Sequence, residues 1–295
     1  MKKRVTGRVK RAVRFWTARQ FNIAAMSSAS VSLPAKRLLI VLVGTQHPGN
    51  IGSAARAMKT MGLSRLVLVA PLQFPHPDAY ALAAGANDVL EAAVRVDTLA
   101  EAIADCRLVL GCTARSRRVA LEELHPRQAA ARALVAVDTG AEVAIVFGRE
   151  RTGLENDELQ LCHAAVHIPA NPEYSSLNLA AAVQILAYEL RVAWSTDAAP
   201  PSVFAVGAAR VHEVRSEPSA THAQVEGFFS QLAETLYAID FHKGRTPATA
   251  MRKFRRLFLR ADLDARDVRL LRGLLADAKR MADIAKGRVL SPDAS

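Results

Sequence analysis

The 295-residue chain has only three cysteines, Cys106, Cys112 and Cys162. The number is odd and the spacing frames no disulfide scaffold, which suits a reducing cytoplasm. His163 and His167 can share one face of a strand beside Cys162. No further ligand completes a zinc set, so no metal site is expected. No stretch approaches the ~18 uninterrupted apolar residues of a membrane-spanning helix, which excludes an integral membrane helix. There is no repeat of fixed period. Aromatic residues are scarce at 5%, yet 51% of the chain is hydrophobic, enough for a sizeable core in one large domain or two smaller ones.

Acidic residues are missing from the first 37 positions, which hold ten Lys or Arg. Residues 38–208 hold 13 basic and 17 acidic residues, and residues 209–288 hold 16 and 10. A weakly acidic centre therefore lies between two basic flanks, and basic flanks suit a polyanion, most often nucleic acid. The N-terminal stretch is Arg-rich, but "FNIAAM" is too short for the apolar run of a secretory signal. A targeting segment and a translation start at Met26 both remain open. On either reading residues 1–36 are expected to lack a packed fold.

Residues 38–43, "LLIVLV", form a continuous apolar run, the pattern of a strand buried on both faces of a parallel sheet. Further strands are expected at "RLVLVAP", "RLVLGCT", "EVAIVFG" and "AAVHIP". Helices are expected between them, at "NIGSAARAMKTMG", 78–86, "DTLAEAIADC", 126–137 and "NDELQLCH". Strands alternating with helices give an α/β parallel sheet. Residues 197–220 are rich in Pro, Ala and Ser and read as a linker. Residues 221–289 carry three helical patterns and no strand signal, a small all-α domain, and 290–295 are a tail.

Three loops follow expected strands, where open α/β sheets bind ligands. The first, "TQHPGNIGSAAR", does not space its glycines as a dinucleotide fingerprint and lacks the Gly-Lys-Ser/Thr of a P-loop. It leaves a tight turn with Asn50 and an arginine, Arg56, one and a half turns into a helix. The second, "VFGRERTGL", brackets Arg149, Glu150 and Arg151 between Gly148 and Gly153, and glycines allow close backbone approach. The third, "NPEYSSLNLAAAVQILAYELR", opens a helix whose apolar stripe is Leu179, Ala182, Val183, Leu186, Ala187 and Leu190. Its mouth carries Asn171, Glu173, Tyr174, Ser175, Ser176 and Asn178 behind Pro169 and Pro172. One of these is enough for a cap. Taken singly, each loop also fits a plain capped helix or a solvated turn.

Together, in this order, "HPGNIGSAARAMKTMGL", "FGRERTGL" and "NPEYSSLNLA" resemble the SpoU–TrmH family of RNA 2′-O-methyltransferases in the trefoil-knotted SPOUT class, its TrmJ branch in particular. The likeness covers about 37–195, and "RKFRRLFLRA" resembles the helical extension of that branch. The resemblance implies a methyltransferase domain at 37–196 with a C-terminal trefoil knot, S-adenosylmethionine as cofactor, tRNA as partner and a homodimer. It implies modification of cytidine or uridine at nucleotide 32 of the anticodon loop. Methylation of ribosomal RNA and a catalytically inactive RNA-binding homologue are the alternatives. Carried over, the cofactor walls are Cys112, Thr113, Ala114, Gly148, Ile168, Ser175, Ser176 and Leu177. The catalytic group is Arg56, with Asn50 orienting it or the ribose, Glu150 fixing the arginines and the loop, and Asn178 tying the third loop to the other two.

Overall fold

The computed structural model describes residues 33–114, 121–195, 217–244 and 246–289. Expectations for 1–32, for most of the linker and for the tail lie outside these residues. Among the described residues seven strands run β1 (Leu38–Val43), β2 (Arg65–Val69), β3 (Val94–Val96), β4 (Cys106–Cys112), β5 (Glu122–Leu124), β6 (Glu142–Phe147) and β7 (Ala164–Val166). The helices among and around them are α1 (Leu33–Lys36), α2 (Pro48–Thr60), α3 (Pro77–Ala83), α4 (Asn87–Glu91), α5 (Leu99–Ala102), α6 (Pro126–Asp138), α7 (Asn156–Gln160) and α8 (Leu179–Ser195). Three helices follow, α9 (His222–Ala238), α10 (Pro247–Ala261) and α11 (Ala265–Val289).

All strand pairs are parallel, in the order β3-β2-β1-β6-β4-β7-β5. Every residue of β1 is buried. Leu38, Ile40 and Leu42 join a core with buried residues of α2, α6 and α8, whereas Leu39, Val41 and Val43 join one with Leu99, Leu154 and Leu159 on the other face. Helices cover both faces, so the strand has no polar side and reads as an unbroken apolar run. The stripe of α8 lies as its spacing requires: Leu179, Val183, Leu186, Ala187 and Leu190 are buried and Ala182 is partly so.

The structure departs from the sequence expectations at short elements. β3 and β5 have three residues each, and Val94 is 55% exposed while Glu122 and Glu123 face solvent. Edge strands without an apolar run give no signal. The helix expected at "DTLAEAIADC" is confined to α5, because the chain enters β4 at Cys106. The helix at "NDELQLCH" stops at Gln160. At the N-terminal side Ala35 is fully buried, so packing reaches back into a segment expected to be unpacked.

The helical region has its own core, centred on Val225, Phe228, Phe229, Leu232, Leu236 and Val268. Phe228 meets Phe258 of α10 edge to face at 4.8 Å. Thr221 caps α9 in a reciprocal box with Gln224. This region touches the sheet where Ala223 N donates to Ala104 O at 3.0 Å. His222, at the first position of α9, is 3% exposed; neither ring nitrogen has a hydrogen-bond partner among the described residues, and Nε2 lies 3.9 Å from Glu226 Oε1. Burial, with His222 and Arg132 nearby, pushes His163 down to about 3. Val109 N donates to its Nδ1 at 3.1 Å, which needs the lone pair of a neutral ring. Burial also pushes His222 down, opposed by Glu226 and helped by Arg255.

Both imidazoles are therefore neutral when docked, whereas free histidine protonates near pH 6.5. The unfolded chain binds more protons below that value. Stability should thus be complete above about pH 6.5 and fall as pH drops from there towards 3. Replacing His222 with Phe should lessen the fall in thermal midpoint between about pH 7 and pH 5. A variant that loses as much as the wild type over that interval would contradict this account.

Candidate active site

The three loops meet at one edge of the sheet, and side chains tie them together. Glu150, after β6, accepts hydrogen bonds from Gln46 N at 3.0 Å, His47 N at 3.1 Å and Asn50 Nδ2 at 3.0 Å. Asn50 Oδ1 in turn accepts from Asn178 Nδ2 at 3.0 Å. Asn178 Oδ1 caps α8, accepting from Ala180 N at 2.9 Å and Ala181 N at 3.4 Å. The path Glu150–Asn50–Asn178 thus joins loop two to loop one and loop one to loop three. Burial pulls the Glu150 carboxyl up, but hydrogen bonds from Asn50, Gln46, its own backbone and His47 outweigh that and hold it below its ordinary value of 4.5.

Glycines let the backbones approach. A Cβ on Gly148 would lie 2.1 Å from the Gly153 carbonyl carbon and the Leu154 nitrogen, so no larger residue fits where the 148–154 loop closes on itself. A Cβ on Gly52 would lie 2.0 Å from Ala79 O, where α3 crosses α2.

The structure assigns Glu150 a different partner from the one expected. Glu150 braces the first loop and holds no arginine. Arg149 is held instead by Glu158 at 3.0 and 3.1 Å, with Glu155 at 3.5 Å. Its side chain lies over Gly44, a left-handed residue whose added Cβ would meet Arg149 Nε at 2.7 Å. Gly44 and Glu158 were missed in the sequence: neither belongs to a motif, and only tertiary folding brings them to Arg149. Asn50 does not contact Arg56, because its amide is engaged by Glu150 and Asn178. Arg56 is exposed and its guanidinium pairs with no group among the described residues. Six positions after Asn50, it lies about 120° round the helix.

The expected cofactor walls fall into two groups. Cys112 ends β4 and Thr113 and Ala114 follow it, Gly148 follows β6 and Ile168 follows β7, and the pairings Gly111 with Val146 and Cys112 with Val166 set these strand ends side by side. Thr113 N donates to Val166 O at 3.0 Å. Ser175, Ser176 and Leu177 lie in the segment that Asn178 ties down, and the two serine hydroxyls have no hydrogen bond among the described residues. Burial holds the thiols neutral: Cys106 and Cys162 are pushed up to about 12, and Cys112 is raised too. Neutral thiols do not favour a cysteine thiolate nucleophile. Among the described residues no cluster of three His, Cys, Asp or Glu side chains is poised for a metal.

Residues 37–188 match the SpoU rRNA Methylase family. The chain belongs to the SpoU methylase family. Residues 223–287 match the C-terminal domain of the tRNA methyltransferase TrmJ. The chain is 46% identical over 246 residues to the tRNA (cytidine/uridine/adenosine-2′-O-)-methyltransferase TrmJ of Pseudomonas aeruginosa, covering 83% of this chain and 95% of that one. It is 50% identical over 243 residues to the tRNA (cytidine/uridine-2′-O-)-methyltransferase TrmJ of Klebsiella pneumoniae, covering 82% and 96%. Among solved structures, TrmJ from Z. mobilis superposes with a TM-score of 0.68 at 35% identity, covering 81% of this chain and 97% of that one. The SpoU-type parallel sheet and the helical extension are therefore both present in one chain.

The brace carries a prediction. Glu150→Ala leaves two backbone N–H groups and the Asn50 amide without an acceptor, and should cost about 1–3 kcal/mol of stability near neutral pH. The folded loop favours the ionised carboxyl, so this contribution is complete above pH 4.5 and is lost as the pH falls through the lowered folded value. Wild type and Glu150→Ala should therefore converge in urea midpoint under acid. Equal midpoints at neutral pH would contradict the brace.

Proposed function

We propose that the chain is an S-adenosylmethionine-dependent tRNA (cytidine/uridine-2′-O-)-methyltransferase acting on nucleotide 32 of the anticodon loop in the cytoplasm. The observation that carries this reading is the hydrogen-bonded joining of the three loops at one sheet edge, with an unpaired Arg56 on the helix that the first of them starts. The relatives' names and the match of 223–287 support tRNA as substrate. Nucleotide 32 and the knot come from the family resemblance.

The residues present fit the cofactor. Ile168 and Leu177 offer apolar surface for a purine ring, and Ser175 and Ser176 offer unpaired hydroxyls. The loops after β4, β6 and β7 offer backbone amides and carbonyls beside a neutral Cys112 thiol. In this reading they form a knotted cradle. When bound, S-adenosylmethionine supplies an electrophilic methyl group on a sulfonium. The chain's own part is to hold a ribose 2′-oxygen in line and to stabilise its developing charge. Arg56 does this by gripping a substrate phosphate bidentately beside that oxygen. Arginine side chains stay charged in proteins, so Arg56 acts by charge and hydrogen bonding and not as the base. Asn50, Glu150 and Asn178 act through position.

The helical region supplies phosphate contacts in this reading. Arg252, Lys253, Arg256 and Arg260 are exposed along α10, and none pairs with a carboxylate among the described residues. A homodimer forms through the open side of α8, where Tyr188 and Val192, one turn apart, are 53% and 37% exposed. Sedimentation at micromolar concentration should give twice the chain mass. A fully active monomer would contradict the dimer.

Transfer of labelled methyl groups to bulk tRNA and to ribosomal RNA tests the activity. Label should enter tRNA and map to nucleotide 32. Label in ribosomal RNA, or in neither, overturns the substrate. Arg56→Ala should lower single-turnover transfer about 100-fold or more while calorimetric cofactor affinity is retained. Arg56→Lys should not restore it, because a point charge does not reproduce the planar fork. Transfer within about threefold of wild type, under ~1 kcal/mol, would contradict this role for Arg56.

A further inference from the structure

The turn after α9 is tight and carries aromatic residues. Asp240 and Lys243 are left-handed, with φ of 51° and 46°, although neither is glycine, and Gly244 follows at 79°. Left-handed L-residues also stand at Ala70 and at the helix ends Ala84 and Asp262, so the conformation marks a tight turn and not by itself a site. The backbone fixes it: Phe241 N donates to Leu236 O at 3.0 Å and Asp240 N to Tyr237 O at 3.2 Å. The result is aromatic surface turned outward. Tyr237 is 80% exposed and Phe241 43%. The Phe241 ring stands edge-on to His242 at 5.8 Å and lies 5.9 Å from Phe254 of α10.

Phe254 packs on the core side of α10, and helix spacing turns Arg252, Arg256 and Arg260 to the opposite, outer side. Of the other cations in this region, Arg266, Arg272 and Lys286 have no carboxylate partner among the described residues, whereas Arg255, Arg269, Lys279 and Arg280 are paired, with Glu226, Glu217, Glu234 and Asp277. The four on the outer side of α10 are not, and Arg252 to Arg260 spans about 12 Å of helix. Lys243 lies in the aromatic turn itself, with Asp240 as the acid there. Cations alone follow a phosphate backbone and need no exposed rings. Exposed rings in the turn that leads into such a track suit bases that are free to stack, which duplex RNA does not offer.

We propose that the turn bearing Tyr237, Phe241 and His242 is a stacking platform for unpaired nucleotides of the RNA, at the start of the phosphate track of α10. The proposal rests on the RNA-substrate reading above and adds the feature of the substrate that the helical domain reads: an unpaired segment, not a helix. Tyr237 and His242 are stacking faces, and Phe241 links the platform to α10 through Phe254.

The test uses the full chain and fluorescence anisotropy with unmodified tRNA and with a short perfect RNA duplex, each over a salt series. Tyr237→Ala, and Tyr237→Ala combined with Phe241→Leu, should weaken tRNA binding about tenfold and leave duplex binding within about twofold. The slope of log affinity against log salt should be unchanged. Arg252→Ala with Arg256→Ala should weaken both RNAs and flatten that slope by roughly 0.7–0.9 per lost phosphate contact. Tyr237 is largely exposed, so its single variant folds, and thermal melting confirms this for the pair. Aromatic variants that bind tRNA as wild type does, weaken both RNAs equally or flatten the salt slope would overturn the platform. So would loss of binding to anionic phospholipid vesicles with tRNA affinity intact. A wild-type chain that binds tRNA but transfers no methyl group would sink the active-site reading and leave this test standing.

Discussion

The Glu150–Asn50–Asn178 path is the constraint on which the site depends. It joins residues 100 and 128 positions apart in the chain, and each hydrogen bond is about 3.0 Å. Its chemistry has one direction. Glu150 is an acceptor with three donors around it, so it stays ionised; an asparagine amide both donates and accepts, so Asn50 passes the connection on; and Asn178 spends its remaining oxygen on the start of α8. Exchange of either asparagine for a residue with only one of these capacities breaks the path. The polar crowd at the mouth of α8 is explained in part by this: Asn178 caps the helix and anchors the loop at once.

Around this path, small residues set how close the loops lie and charge is kept away from the core. Gly148 and Gly52 stand where a side chain would collide with backbone. Arg149 is clamped by Glu158, whereas Arg151 in the second loop and Arg56 on α2 are exposed and unpaired among the described residues. The helical region adopts the opposite arrangement on α10, where cations stand open to solvent. The result is a division of labour: the sheet edge fixes geometry by neutral and charge-assisted hydrogen bonds, and α10 offers charge.

Much of this was legible in the sequence. The continuous apolar runs mark β1, β2, β4, β6 and β7 because those strands are buried on both faces, and the stripe of α8 marks its packed side. The three motifs meet because each follows a strand at the same sheet edge. What was not legible was tertiary. β3 and β5 are edge strands of three residues, with polar or exposed side chains, and carry no pattern. Glu150 stands between two arginines in sequence, yet its carboxylate turns to backbone N–H groups of a loop about 100 residues earlier, and local charge order gives no hint of that. The docking of α9 through His222 depends on a contact across the intervening segment.

The central claim is that the path acts as one unit that aligns the loops for methyl transfer. A double-mutant cycle on Asn50→Ala and Asn178→Ala, read as kcat/KM for tRNA methylation, tests it most directly. If the two residues act through their shared bond, the losses overlap, and the double variant should fall short of the sum by about 1 kcal/mol or more. Losses that add to within ~0.3–0.5 kcal/mol would mean that the two asparagines serve the site independently, and would contradict a path that acts as one unit.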